Sequence, residues 1–275
     1  MKSMFEPALL PDGLQKHFRR ALIAMAGKEI DITIPVSATG YCYLGWVLRG
    51  NWQGYTGEKL IFDSSVDGNL AIAGQITRQD IRARFSGDLI MLNLEFQASG
   101  LYEVFGIDVS RLNNQTLSIN DIIHSVPRFL DTKLQTASEL TRKLESILSN
   151  LPKYRPKDKV VEVVSMIEEH SGVVKVQELA QQVKVNERTL HRNFTFCCGI
   201  GPKSFAKTIR VNSLLNRLLQ EPEKLSEIAL EYGFSDQSHM NKSIVEFLGL
   251  SPQKVQAGIH EILESFLANS QADSK

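Results

Sequence analysis

The stretch Leu225–Pro252, LSEIALEYGFSDQSHMNKSIVEFLGLSP, decides how this chain is read, because an earlier stretch restates it. Set against VQELAQQVKVNERTL from Val176, it aligns at a shift of 49 residues. One extra residue in the second copy then makes the shift 50, and Leu190 falls on Met240, Arg192 on Lys242, Phe194 on Ile244, Gly199 on Gly249 and Pro202 on Pro252. Each copy reads as a short helix, a tight turn and a longer helix. A glycine then ends the unit and a proline opens the next helix.

In the first copy Leu179 and Val183 point inward, and the small Ala180 lets a second helix cross closely. Lys184-Val185 is the turn, Asn186 is a natural N-cap, and Glu187–Phe196 is the second helix with Leu190 and Phe194 buried. In the second copy Ile228, Ala229 and Tyr232 lead into Gly233-Phe234, Ser235 caps, and Asp236–Leu248 is the matching helix with Met240, Ile244 and Phe247 inward. Both are helix-turn-helix units. A capped helix displayed this way suits the major groove of DNA, since its first turns project side chains outward and its free amides favour phosphate.

The outward residues are Arg188, His191 and Arg192 in the first unit and Gln237, Ser238, Asn241 and Lys242 in the second. Arginine reads guanine through O6 and N7, glutamine and asparagine match adenine N6 and N7, and each good contact discriminates by about 1–3 kcal/mol. The whole chain balances 31 basic against 31 acidic side chains, so any electrostatic function is local. From Lys184 to Arg217, Lys184, Arg188, Arg192, Lys203, Lys207, Arg210 and Arg217 oppose Glu187 alone, a net of +6. Isolated, such a run would read as a solvated helix face; coincident with a doubled motif it reads as a phosphate footprint. From Leu218 to Ala257 three lysines face six acids, so the first unit is expected to carry most of the affinity.

From about Lys157 to Ala257 the chain resembles the DNA-binding domain of AraC/XylS-type bacterial transcription regulators, through VNERTLHRNF and IALEYGFSDQSHMNKSIVEFLGLSP. The resemblance implies two units held on one linker helix, here Lys203 to about Leu219, with both recognition helices in successive major grooves. It also implies a β-rich, often cupin-like sensor domain in front, and activation rather than repression; LNLEFQASGLYEVFGIDVSRL is similar to segments preceding this domain in other members. Three features depart from the pattern. Lys184 stands where glycine is usual, at a cost on the order of 1 kcal/mol if the backbone is left-handed there. Ser243-Ile244-Val245-Glu246 replaces a basic-aromatic ending, and Lys242 stands where arginine is common.

Upstream, Tyr41–Arg49, Leu70–Ile76, Ile81–Phe85 and Leu89–Phe96 read as short strands between turn signals at Gly50-Asn51, Asp67-Gly68-Asn69 and Ser86-Gly87-Asp88. Leu14, Phe18, Leu22 and Met25 at helical spacing predict a helix over Asp12–Ala26. The stripe Leu130, Leu134, Ala137, Leu140, Leu144, Ile147 and Leu151 predicts an amphipathic helix, which either docks on the β-domain or forms a dimer seam, docking being favoured. Pro152, Pro156 and the bases between Lys153 and Lys159 read as a linker. The expected class is therefore α+β: a β-rich domain (a cupin-like fold or small sandwich) over 1–121, helix and linker over 122–156, the double helix-turn-helix domain over 157–268, and a disordered tail over 269–275.

Tyr43, Trp46 and Trp52, with Tyr41 and Tyr55, could wall a ligand pocket, although aromatic residues on strands are more often core. His17 is the sole histidine before residue 120, which argues against a metal-dependent oxygenase. Gly199-Ile200-Gly201 reads as a cap and turn rather than a phosphate loop, so an enzyme is not expected, nor a cofactor. Cys42, Cys197 and Cys198 read as reduced thiols, with redox sensing at the adjacent pair a minor alternative. No apolar run is long enough for a membrane span, and the start lacks a secretion signal, so a cytoplasmic protein is expected. Expected partners are double-stranded promoter DNA, RNA polymerase as a candidate, an effector of open chemistry and a second copy of the chain. The alternative reading is an interaction module whose helical domain binds a partner protein.

Overall fold

A computed structural model describes residues 5–27, 29–122, 137–149, 153–157, 159–220 and 225–248. Eight strands, β1 (Phe5–Ala8), β2 (Phe18–Met25), β3 (Ile30–Pro35), β4 (Tyr43–Thr56), β5 (Lys59–Asp63), β6 (Leu70–Ala73), β7 (Ile81–Phe96) and β8 (Thr116–Ser118), form one sheet in the order β1-β2-β7-β4-β6-β8. β3 pairs with β7 and β5 with β4, off that path, and every pairing is antiparallel.

Because side chains alternate along a strand, β7 is apolar on both faces. Leu92, Leu94 and Phe96 pack with Leu44, Trp46 and Ile72 in a cluster on one face, while Ala83, Phe85, Leu89 and Met91 pack with Val47, Trp52 and Phe62 on the other. Seven strands, β1 to β7, feed the second cluster, so the sheet curls over it. Short helices cover the first: α1 (Asp12–Gln15), α2 (Gly100–Phe105), α3 (Ile119–Ile122) and α4 (Ala137–Ser149), with a 3-10 turn over Val109–Leu112.

Two expectations are corrected. Asp12–Ala26 is not one helix; α1 ends at Gln15, and Phe18–Met25 is a strand paired to β1 and β7. The helical spacing misled because this strand is buried on both faces: Phe18 and Ala21 enter one cluster, Leu22 and Ala24 the other, and a doubly apolar strand carries no alternation to read. His17 accordingly lies at the head of a strand, buried, with Nδ1 3.4 Å from Glu103. The turn signals at Gly50-Asn51 and Ser86-Gly87 do not end strands either. They face each other across β4 and β7, Asn51 opposite Ser86, where the β4 register shifts. Gly50 and Gly87 have φ of +78° and +82°, and a Cβ on Gly50 would come within 2.8 Å of the Ser86 carbonyl, so glycine there permits a bend in two long strands.

The helix predicted from the leucine stripe is α4, and Leu144 and Leu148 sink into the β-domain cluster, which is the docking arrangement. Leu130, Leu134 and Leu151 lie outside the described residues. The helical half comprises α5 (Val160–Glu169), α6 (Val176–Gln182), α7 (Glu187–Cys198), α8 (Pro202–Gln220), α9 (Leu225–Glu231) and α10 (Gln237–Leu248). It has two separate cores. Phe194, Phe205, Ile209 and neighbours from α5 to α8 make one, and Leu214, Leu218, Ile228, Met240 and Ile244 make the other.

Candidate nucleic-acid interface

The two motifs adopt matching geometry. In the first, α6 ends at Gln182 with Val183 as its C-cap, the Val185 amide donates to the Ala180 carbonyl (3.0 Å), and α7 begins after Asn186, whose side chain accepts from the Thr189 amide (2.8 Å). In the second, the Phe234 amide donates to the Ala229 carbonyl (2.8 Å) and Asp236 Oδ1 accepts from the His239 amide (2.8 Å). The capping side chain is thus Asp236, at the position matching Asn186, and not Ser235; the Ser235 hydroxyl instead donates to Asp236 (3.1 Å). Hydrogen bonding from that amide holds the Asp236 carboxyl below its usual range.

Lys184 has φ of +57°, the left-handed region, and the matching Gly233 has +68°. The turn is therefore the same in both units and Lys184 bears the strain that glycine avoids. Lys184→Gly is expected to stabilise the protein by about 0.5–1 kcal/mol, read as a raised urea midpoint; an unchanged or lowered midpoint overturns that account. Removing the cap in Asn186→Ala is expected to cost about 1 kcal/mol in the same experiment.

Arg188, His191 and Arg192 are exposed along α7, and Ser238 and Lys242 along α10; Gln237 and Asn241 are half-buried, with Asn241 Oδ1 enclosed and unpartnered. Lys203 and Lys207 are exposed on α8, the latter 3.6 Å from Glu246. Arg210 differs from these lysines: its Nε and Nη2 are enclosed and its guanidinium lies over the Phe234 ring.

The far end of α7 is fastened to the β-domain. Buried Gln75 donates to the carbonyls of Gly40 (2.7 Å) and Cys198 (2.9 Å), and Asn113 donates to the Gly199 carbonyl (2.9 Å). Tyr102 meets Phe196 edge-on at 5.6 Å, and Asn212 on α8 donates to the carbonyls of Ala38 and Thr39 (both 3.2 Å). The Tyr41 hydroxyl donates to Glu168 (2.5 Å) on α5, with the Arg19 guanidinium stacked on its ring at 3.9 Å. These contacts escaped the sequence reading because each joins residues far apart along the chain, and no local pattern marks them.

The Cys198 carbonyl is part of this fastening, and Cys197 is buried beside it. Burial pushes both thiols up, and Cys42 up to about 12, so none has the low-pKa, exposed setting of a reactive thiolate; at Cys197 burial outweighs the lowering effect of Lys157. Trp46 and Trp52 fall in the two different sheet clusters, Trp52 against Phe62 at 4.9 Å, while the Tyr43 hydroxyl donates to buried Glu95. The structure does not bring the three together around one space.

Among the described residues no helix is long and apolar enough to cross a membrane. What the geometry defines is a class: two helix-turn-helix units on one linker helix, joined to a curled antiparallel sheet. Residues 179–258 match the helix-turn-helix domain family. YbfI, an HTH-type transcriptional regulator of Bacillus subtilis, is 36% identical over 110 residues, 39% of each chain. RhaS of Klebsiella pneumoniae, an HTH-type transcriptional activator, is 27% identical over 88 residues, 32% of each chain. Both matches thus span well under half the length of these relatives. Among solved structures, ToxT from Vibrio cholerae aligns over 86% of this chain and 97% of its own, at 11% identity and a TM-score of 0.44. Residues 179–258 of the chain are thus a helix-turn-helix domain similar to those of named transcription regulators.

Proposed function

We propose that this chain is a sequence-specific, DNA-binding transcription regulator whose α7 and α10 enter successive major grooves. The observation that carries the reading is the pair of equivalently capped helices, each with its first turns open to solvent and polar side chains on that face. Arg188, His191 and Arg192 read bases in one box, and Gln237, Ser238 and Asn241 in the other, with Lys242 on the phosphate beside them. Lys203 and Lys207 contact phosphate. The relatives named as transcription regulators support the class, and the one named as an activator supports activation, with RNA polymerase as the further partner. The β-domain senses an effector or pairs two copies, and its bonds to Cys198 and Gly199 give it a direct hold on the first recognition helix. Because Trp46 and Trp52 lie in separate clusters of the sheet, a role of Tyr43, Trp46 or Trp52 toward an effector is tested one residue at a time.

The test is selection of bound duplexes from a random pool, followed by titration of the winner at two salt concentrations. Recovery of a two-box sequence, with binding weakened by orders of magnitude between about 50 and 200 mM salt, supports the reading. No enrichment, together with salt-insensitive binding to a protein partner, would assign the helical domain to protein interaction instead.

A further inference from the structure

The linker helix α8 changes allegiance at Arg210. Phe205, Ala206 and Ile209 belong to the core of the first unit, whereas Val211, Leu214, Leu215 and Leu218 belong to that of the second. Two cores that share one helix are free to twist against each other unless something ties them where they meet, and the Lys207–Glu246 pair (3.6 Å) between α8 and α10 is too exposed to do so strongly. At that boundary the Arg210 guanidinium lies flat on the Phe234 ring, 3.9 Å from its centroid, in the turn of the second unit. Phe234 in turn meets His239, in the first turn of α10, edge-on at 5.3 Å.

The loop after α5 presses on the same point from the first unit. A Cβ on Gly172 (φ +75°) would fall 2.2 Å from the Ala206 carbonyl and 2.5 Å from the Arg210 amide, so the loop backbone lies directly on α8. The next residue, Val173, reaches across to the other turn: a Cβ on Gly233 would be 3.4 Å from Val173 Cγ1 and 3.9 Å from Arg210 Nη2. Arg210 Nε and Nη2 are enclosed and without a hydrogen-bond partner. A guanidinium tolerates this better than an ammonium would, being planar, weakly hydrated and attracted to an aromatic face.

We infer that Arg210 is a positioning residue, a clasp between the two units that fixes the separation and twist of α7 and α10, and hence the spacing of the two boxes the protein accepts on DNA. The second half of this statement rests on the DNA-binding reading; the first does not. A phosphate contact needs the charged edge in solvent, whereas here two of the nitrogens face the interior.

The experiment compares wild type with Arg210→Met, which keeps bulk and loses the planar cation, and with Phe234→Leu, which keeps an apolar turn and loses the ring. Spin labels at Glu187→Cys and Val245→Cys report the distance between α7 and α10 without DNA, the three native cysteines being buried. The expected result is a narrow distance distribution in wild type and a clearly broader one in both variants; an unchanged width in both overturns the clasp. On DNA, box spacing is varied by one and two base pairs, each of which displaces and rotates one box relative to the other. Wild type is expected to prefer its best spacing by about tenfold and Arg210→Met by about threefold or less, with the salt dependence unchanged. A salt slope reduced by about one with spacing preference intact makes Arg210 a phosphate contact and overturns the proposal. If wild type selects no duplex, the DNA-binding reading fails and the width measurement still decides the clasp.

Discussion

Glu95→Gln is expected to destabilise the protein by about 3–5 kcal/mol, the cost of leaving a buried guanidinium without its counter-charge. Glu95 is 1% exposed and accepts from Arg20 Nε at 2.6 Å and Nη2 at 3.3 Å, from Arg19 Nη1 at 3.3 Å, and from the Tyr43 hydroxyl. Burial lowers the Arg20 pKa and the carboxylate raises it, with a net upward shift, so arginine stays charged and must be answered. The substitution keeps the shape and removes only the charge. Urea unfolding followed by far-UV circular dichroism measures the effect, and a loss below about 1 kcal/mol would mean that water or other groups compensate. The paired change Arg20→Met/Glu95→Met should recover much of the loss, since apolar groups of similar volume often replace a buried ion pair at little cost. A double variant as unstable as the two singles summed would refute the coupling.

On DNA, the largest expected effect is at Arg192. Arg192→Ala should weaken binding to the selected duplex by about 1–3 kcal/mol, roughly 5- to 150-fold, and relax the preference at one base position. Lys242→Ala, at the matching place on α10, should cost less and weaken all sequences alike, because a lysine point charge contributes mainly through phosphate. The asymmetry has two sources. The first unit lies in the basic stretch of net +6, while Leu218–Ala257 carries net −3. In addition, the bonds that hold the end of α7 on the β-domain are buried or half-buried, whereas the one from Gln79 to the Glu246 carbonyl on α10 is exposed, so less ordering entropy is lost when α7 binds. Matched titrations at one salt concentration test this; a greater loss for Lys242→Ala than for Arg192→Ala would reverse the assignment of the dominant unit.

The same contrast explains which features could be read in advance. The helix-turn-helix units are local objects: cap, turn and apolar spacing lie within about 25 residues, and duplication states them twice. Even so, the sequence misplaced the second cap by one residue, because Ser235 and Asp236 are both good capping residues and only the geometry shows which one reaches the His239 amide. In the front half the strands β4, β6 and β7 showed as apolar and aromatic runs. β2 did not, since burial on both faces erased the alternation that marks a strand.

By itself, then, the sequence determined the doubled motif, the exposed Arg188, His191 and Arg192 of its first copy and the local basic charge, all of which depend on neighbours a few residues apart. Tertiary structure alone decided the rest: the curl of the sheet about paired glycines, the Glu95 charge cluster, the fastening of α7 through Gln75 and Asn113, and the seat of Arg210 between two cores. Each of these joins segments distant in the chain, and a long-range contact is selected by the packing of the whole molecule rather than by any pattern within one segment.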